Sequence, residues 1–579
     1  MCGIFGFTDF KKDSLDKARQ SLHTLNHRGP DQWNDYFDDN IYIGHQRLSI
    51  LDLSEQGKQP MISQDESVII TVNGEIYNFK DLKKELEGKY KFKSTSDSEV
   101  ILYGYIEWGI DGLLERIDGM YALCIYDKHK KELFLVRDRV GIKPLYYGLI
   151  NNQISWASEL KAIQKLYEEE KVLTYDYTAL YDFLTYRFIP TPKSLYNSVY
   201  KLEPGHYLKI NTKNNTYVKI KYWELEINPI SDDLETAKEK LYNLVDKSVD
   251  EQMVADVPVG FFLSGGMDSS TIVALASKRH NDINTFSIGF SDKEHDETYF
   301  ADLVADLYLT KHNKKILDEN SIKTIFHKIK EWYDEPFGDT SCFPTYLVSE
   351  FSKQNSTVVL TGDGGDELFG GYSWYKKFIK AQNSPLKKLK FLKSAASALS
   401  SKNNFLGIIF DKLNIVFTED EVEQYALIRG ALSKSQKNKY KNSWGIRDDY
   451  DEFWYYRKFY KNDLDVYTRL QYIDFNTYLP DDILTKVDRV SMAVSLECRV
   501  PFLKKDIIEY CFSLNPKVRI NNDQLKGVMK EAFRKILPDE ILNRGKRGFS
   551  IPSGNFKDLR VNKISKQEKI LNDFGFYVK

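Results

Sequence analysis

VPVGFFLSGGMDSSTIVAL, residues 257–275, changes character halfway along. Its first seven residues are almost all apolar. A Ser264-Gly265-Gly266 turn comes next, and then an apolar segment opened by Asp268, Ser269 and Ser270. Such a run bounded by a Gly-rich turn reads as a buried strand, with a helix after it. INTFSIGF (283–290) and STVVLTG (356–362) repeat the pattern, each before a helical stretch. Apolar strands alternating with helices predict a parallel, doubly wound α/β sheet, because a parallel strand is covered on both faces. In the turn, glycine lets backbone N–H groups approach an anion, and the following helix directs its positive end to the same place.

The turn is not a Walker loop, since GK[ST] occurs nowhere in the 579 residues. It has no lysine for β- and γ-phosphates and instead carries Asp268, a carboxylate placed to hold a metal. SGGxDSS is the pyrophosphate-loop signature of enzymes that attack the α-phosphorus of ATP. A capped Gly-Gly turn is the plainer reading of two glycines alone, but the full spacing after a buried strand goes beyond it. TGDGGDELFGGY (361–372) is a second Gly-rich turn, with Asp363 and Asp366 at the carboxyl end of a strand. Ligands collect at such ends in open α/β sheets. Paired carboxylates beside a polyphosphate call for a divalent cation, Mg²⁺.

Composition narrows the field. Lys and Arg total 82 against 84 Asp and Glu, a net charge of −2, so nothing draws the chain to nucleic acid or an anionic membrane. The content of 42% hydrophobic and 14% aromatic residues is that of a folded protein. Five scattered cysteines (Cys2, Cys124, Cys342, Cys498, Cys511) show no CxxC spacing, which speaks against disulfides or zinc and for a reducing compartment. No signal peptide or membrane-length apolar run is visible, and a cytoplasmic location is expected.

The first 200 or so residues read differently, as an α+β unit of short strands: 41–50, 66–78, 120–127 and 132–138. Helices are expected over 79–88 and 96–109, with Ser96 and Asp97 where an N-cap would stand. A hairpin is expected over 206–223, around Asn214 and Asn215. The polar stretch INPISDDLET (227–236) marks a change of domain and opens a long amphipathic helix. Residues 373–470, rich in Lys, Tyr, Phe and Asn, should be mainly helical.

MCGIFG (1–6), NHRGPDQ (26–32), HQRLSILD (45–52), VNGEIYN (72–78) and TSDSEV (95–100) resemble the class II glutamine amidotransferase domain of glutamine-dependent asparagine synthetases. The two Gly-rich turns, with YLPDDILTKVDRVSMAVSLECRVPFL (478–503) and RGKRGFSIP (544–552), are similar to the synthetase half of the same family. The resemblance covers nearly the whole chain and is weak over 373–470. It implies an N-terminal-nucleophile αββα sandwich over 1–210, a linker over 211–235, and a Rossmann-like ATP-pyrophosphatase domain over 236–579.

The implied glutaminase site begins at Cys2. With Met1 removed, its α-amino group has a pKa near ~8 and serves as base for its own thiol. Asn73 and Gly74 would form the oxyanion hole. Arg47 would fork onto the glutamine α-carboxylate beside Leu48, and Glu75 and Asp97 would hold the α-amino group. In the second half the resemblance assigns Leu263, Ser264, Gly265, Gly266, Asp268, Ser269 and Ser270 to the pyrophosphate loop. Ile288 would meet adenine, and Thr361, Gly362 and Asp363 would border ATP. Asp268 and Asp366 would hold Mg²⁺, Lys546 would offset phosphate charge, and Glu497 and Arg499 would lie near the acceptor.

The implied reaction transfers the amide of glutamine to L-aspartate through β-aspartyl-AMP, giving asparagine, glutamate, AMP and pyrophosphate. Amidation of another carboxylate (a sugar acid or cell-wall precursor) is an alternative, and an inactive regulatory homologue a more distant one. The expected partners are glutamine, aspartate and ATP, with a homodimer as one allowed assembly.

Overall fold

The computed structural model describes residues 2–291, 296–318, 321, 324–325, 328–392, 412–521, 524–545 and 566–576. Its N-terminal part holds two six-stranded antiparallel sheets. One runs in the order 199–201, 146–150, 153–157, 3–8, 41–47, 32–37, and the other 216–221, 206–211, 132–137, 119–127, 68–76, 61–62. Ile4, Ile43, Ile69, Cys124, Leu135 and Trp156 form a core to which both sheets contribute. On its other face the first sheet packs on helices Leu15–His23, Leu160–Leu166 and Tyr177–Tyr186. The second sheet packs on Phe79–Leu86 and Glu99–Arg116. Four layers, αββα, result.

Two expectations shift here. The hairpin His206–Asn211 with Thr216–Lys221 pairs with strand Glu132–Arg137, so the sandwich ends at Lys221 rather than at 210. The 96–109 helix starts at Glu99 with Ser98 as N-cap. Ser96 and Asp97 are not its cap, because Asp97 Oδ2 accepts instead from the Ile76 N–H at 2.7 Å.

The C-terminal part is built on a five-stranded, all-parallel sheet ordered Lys311–Leu317, Asn284–Phe290, Val259–Phe262, Val358–Leu360, Glu497–Arg499. In chain order this is 3-2-1-4-5, so the topology reverses between Val259–Phe262 and Val358–Leu360. The two Gly-rich turns follow these neighbouring strands and face each other at the switch point, where an open α/β sheet leaves a crevice. Helix Leu234–Gln252 leads into the sheet, with the Asp233 side chain accepting from the Thr236 N–H. The described residues of 373–470 are mainly helical. No helix among the described residues is long and apolar enough to cross a membrane.

Candidate active sites

Cys2 immediately precedes strand Gly3–Thr8 and is buried at the inner end of the sandwich. Its N–H donates to Asn73 Oδ1 at 3.0 Å, and its carbonyl accepts from Arg28 Nε at 3.1 Å. Burial pushes the Cys2 thiol up, so a base is needed to ionise it. Asn73 Nδ2 is buried without a hydrogen-bond partner. A buried donor left open is rare and fits a site where an oxyanion forms. Gly74 is required by close approach: a Cβ there would lie 2.0 Å from the Met120 carbonyl oxygen.

Arg47 Nη1 donates to Gln32 Oε1 (2.8 Å) and the Ser54 carbonyl (3.0 Å), while Nη2 reaches the Leu51 and Asp52 carbonyls. The guanidinium is thus oriented by loop 51–54, and Leu48 is buried beside it in the chain. Glu75 and Asp97 are both buried, and burial raises both carboxyls, Asp97 to about 6 and Glu75 well above its usual range. An incoming ammonium would compensate this excess of acid. If Asp97 binds the α-amino group, its charge is present above pH 6 and lost below it. The KM for glutamine should then rise as the pH falls through about 6, and Asp97→Asn should weaken that rise. A wild-type KM constant down to pH 5 would remove Asp97 from the site.

Arg28 has no role in the sequence reading, although NHRGPDQ contains it. It is fully buried, with Nη1 on Glu159 Oε1 and Asp488 Oδ2, both at 2.8 Å. It ties the Cys2 carbonyl to helix Thr485–Met492 of the other half. The signal was the motif itself, whose partner lies 460 residues away.

The second site is a cavity of about 990 Å³ at the switch point. Leu263, Ser264, Gly266, Asp268, Ser269, Ile288, Thr361, Gly362, Asp363 and Asp366 all line it. Gly265 and Ser270 do not. Gly265 has φ +66°, and a Cβ would meet Phe300 backbone at 2.5 Å, so this glycine serves the turn. Ser270 is wholly buried in the helix. The carbonyls of Ser264 and Gly265 accept from Arg544 Nη1 at 3.4 and 2.8 Å. A Cβ on Gly365 would lie 2.6 Å from Asp268 Oδ1, so the two turns are in close contact. Burial raises the Asp363 carboxyl, which accepts from Thr361 Oγ1 at 2.7 Å.

Lys526, unassigned by sequence, lies between the acids: its Nζ is 2.6 Å from Asp268 Oδ1 and 2.6 Å from Asp366 Oδ1. The two carboxylates therefore converge on one cationic point, which suits a divalent ion completed by phosphate oxygens. No group of three His, Cys, Asp or Glu side chains able to hold a metal occurs among the described residues. Lys546 lies outside the described residues. Glu497 and Arg499 are not brought to this cavity. They are buried in the edge strand, and Arg499 Nη2 faces Glu75 of the sandwich at 3.3 Å. Their side chains lie at the domain boundary, where Arg499 Nε donates to Glu497 Oε1 at 2.7 Å.

An αββα sandwich with a buried second-position cysteine, joined to a parallel sheet with facing Gly- and Asp-rich turns, defines a protein of two unlike halves, each with its own candidate site. Residues 1–223 match the glutamine amidotransferase domain, and residues 240–568 match asparagine synthase. The chain belongs to the asparagine synthase family. It is 32% identical over 565 residues to asparagine synthetase (glutamine-hydrolyzing) 1 of Bacillus subtilis (strain 168), covering 95% of this chain and 87% of that one. A Methanocaldococcus jannaschii relative is 36% identical over 534 residues, 87% of this chain and 100% of its own. Amidase chry2 of Gibberella zeae is 28% identical over 616 residues, 95% and 89% of the two chains.

Proposed function

We propose that this protein is a glutamine-hydrolysing asparagine synthase. The observation that carries the reading is the pairing of two sites in one chain: the Cys2–Asn73 pair in the sandwich, and the Asp268–Asp366 pair in the crevice of the sheet. In the first site the Cys2 thiol attacks the glutamine side-chain amide after passing its proton to its own α-amino group. Asn73 Nδ2 and the Gly74 N–H receive the charge that develops on oxygen. The α-amino group returns the proton to the leaving nitrogen, water then hydrolyses the thioester to glutamate and frees the thiol, and the ammonia passes to the second half.

There, ATP lies against the Ser264–Ser270 loop with its base toward Ile288, and Asp268 and Asp366 would hold Mg²⁺. When bound, the ion shields phosphate charge so that an anionic carboxylate can approach. The aspartate β-carboxylate attacks the α-phosphorus, pyrophosphate leaves, and ammonia displaces AMP from the acyl carbon. Lys526 is the described cation nearest the carboxylate pair, and it keeps a positive charge beside the leaving phosphates. Lys546 belongs to the same reading as a second phosphate-facing cation.

The test is a panel of carboxylates given with MgATP and ammonium. L-aspartate should release pyrophosphate and AMP with an equal amount of asparagine, and succinate, lacking the α-amino group, should be poor. Pyrophosphate release by a uronic acid or a cell-wall peptide and none by aspartate would leave the enzyme class standing and change the product.

A further inference from the structure

The buried cluster next to Cys2 joins the two halves of the chain, and one of its donors is left open. Arg499 ends the last strand of the parallel sheet and is 1% exposed. Its Nε donates to Glu497 Oε1 at 2.7 Å, and its Nη1 donates to the carbonyls of Gln252 (2.7 Å) and Val254 (2.8 Å). Three bonds from the synthetase half thus fix the plane and direction of the guanidinium. The remaining nitrogen, Nη2, is buried without a hydrogen bond and faces Glu75 Oε2 across the domain boundary at 3.3 Å.

Glu75 follows the Gly74 of the oxyanion hole in one strand and is buried near Asp97. Burial and the neighbouring Asp97 charge both favour a protonated, neutral Glu75, and Arg499 opposes them. The Tyr77 hydroxyl in the same cluster is also buried without a partner, as is Asn73 Nδ2. Buried orphans are uncommon in folded proteins, and two of them at one strand end, beside the Arg499–Glu75 ion pair, mark a place shaped for a polar ligand.

We propose that Arg499 is a positioning residue of the glutaminase site, holding the Glu75 carboxylate in place to receive the α-ammonium group of glutamine. The glutamine site is then completed by the synthetase half. The same residue also supports the nucleotide crevice, since its carbonyl accepts from the Thr361 N–H at 2.9 Å. One arginine thus stands behind both sites, with its side chain at one and its backbone at the other. The inference rests on glutamine being the substrate at Cys2.

The experiment measures glutamine hydrolysis without ATP or aspartate, and pyrophosphate release with ammonium, in wild type, Arg499→Met and Arg499→Lys. In Arg499→Met the KM for glutamine should rise on the order of 10- to 100-fold, with kcat changed less than about threefold. Arg499→Lys keeps the charge but loses the fork, so its KM should fall between. Ammonium-dependent pyrophosphate release should stay within about twofold of wild type, as the backbone bond to Thr361 is retained. An unchanged KM in a variant that still releases pyrophosphate overturns the proposal. So does a parallel loss of both activities in both variants, the mark of purely structural support. Wild-type enzyme that hydrolyses no glutamine would instead overturn the reading of Cys2, and this inference with it.

Discussion

Cys2→Ala should abolish glutamine-dependent synthesis, by on the order of 10³-fold or more, and leave ammonium-dependent synthesis in place. In the proposed mechanism the sulfur is the atom that bonds covalently to the glutamine amide carbon, and alanine lacks it. The Cys2 side chain is not among those lining the nucleotide crevice, and the backbone bonds to Asn73 and Arg28 use atoms that alanine keeps. The second site should therefore accept free ammonia at its normal rate. The measurement is asparagine formation with glutamine or with ammonium at matched ATP and aspartate. Loss of both in a folded variant would contradict the division of labour. The mechanism also requires a free α-amino group on Cys2, so the intact mass of active enzyme should lack Met1.

Asp268→Asn and Asp366→Asn should have the opposite selectivity. Each should lower synthesis by on the order of 10²–10³-fold with either nitrogen donor, while glutamine hydrolysis survives. The two acids close on one cationic point from facing turns, and glycines at 362 and 365 let Asp268 come that close. An amide keeps the shape but removes one of the two negative charges that a divalent ion needs beside polyphosphate. Titration with Mg²⁺ provides the check, because a higher Mg²⁺ requirement should accompany the lost rate. Wild-type synthesis in either variant would take these residues out of the site.

Much of this was legible in local pattern. Three of the five parallel strands, the two Gly-rich turns and the sandwich hairpins have an apolar period or a turn composition of their own. Strand Lys311–Leu317 has neither: KHNKKIL lies at the sheet edge, is mostly solvated, and is a strand only because its backbone pairs with Asn284–Phe290. Glu497–Arg499 is three residues long, too short for any period to show. The two Gly-rich turns were readable because a turn's conformation follows from its own residues. Residues that reach across the molecule were not.

The sequence by itself thus determined the groups available: a second-position cysteine, two Gly-rich turns, a pair of acids, and the order in which they occur. Only the tertiary structure decided which side chain meets which. It placed Lys526 between Asp268 and Asp366, 258 residues from the first of them, and Arg28 on Asp488. It also turned Glu497 and Arg499 away from the nucleotide crevice and toward Glu75. The physical reason is that strand, turn and helix preferences arise between neighbours in the chain. A buried charge is instead satisfied by whatever the packing of two domains brings within about 3 Å, and no local pattern encodes that.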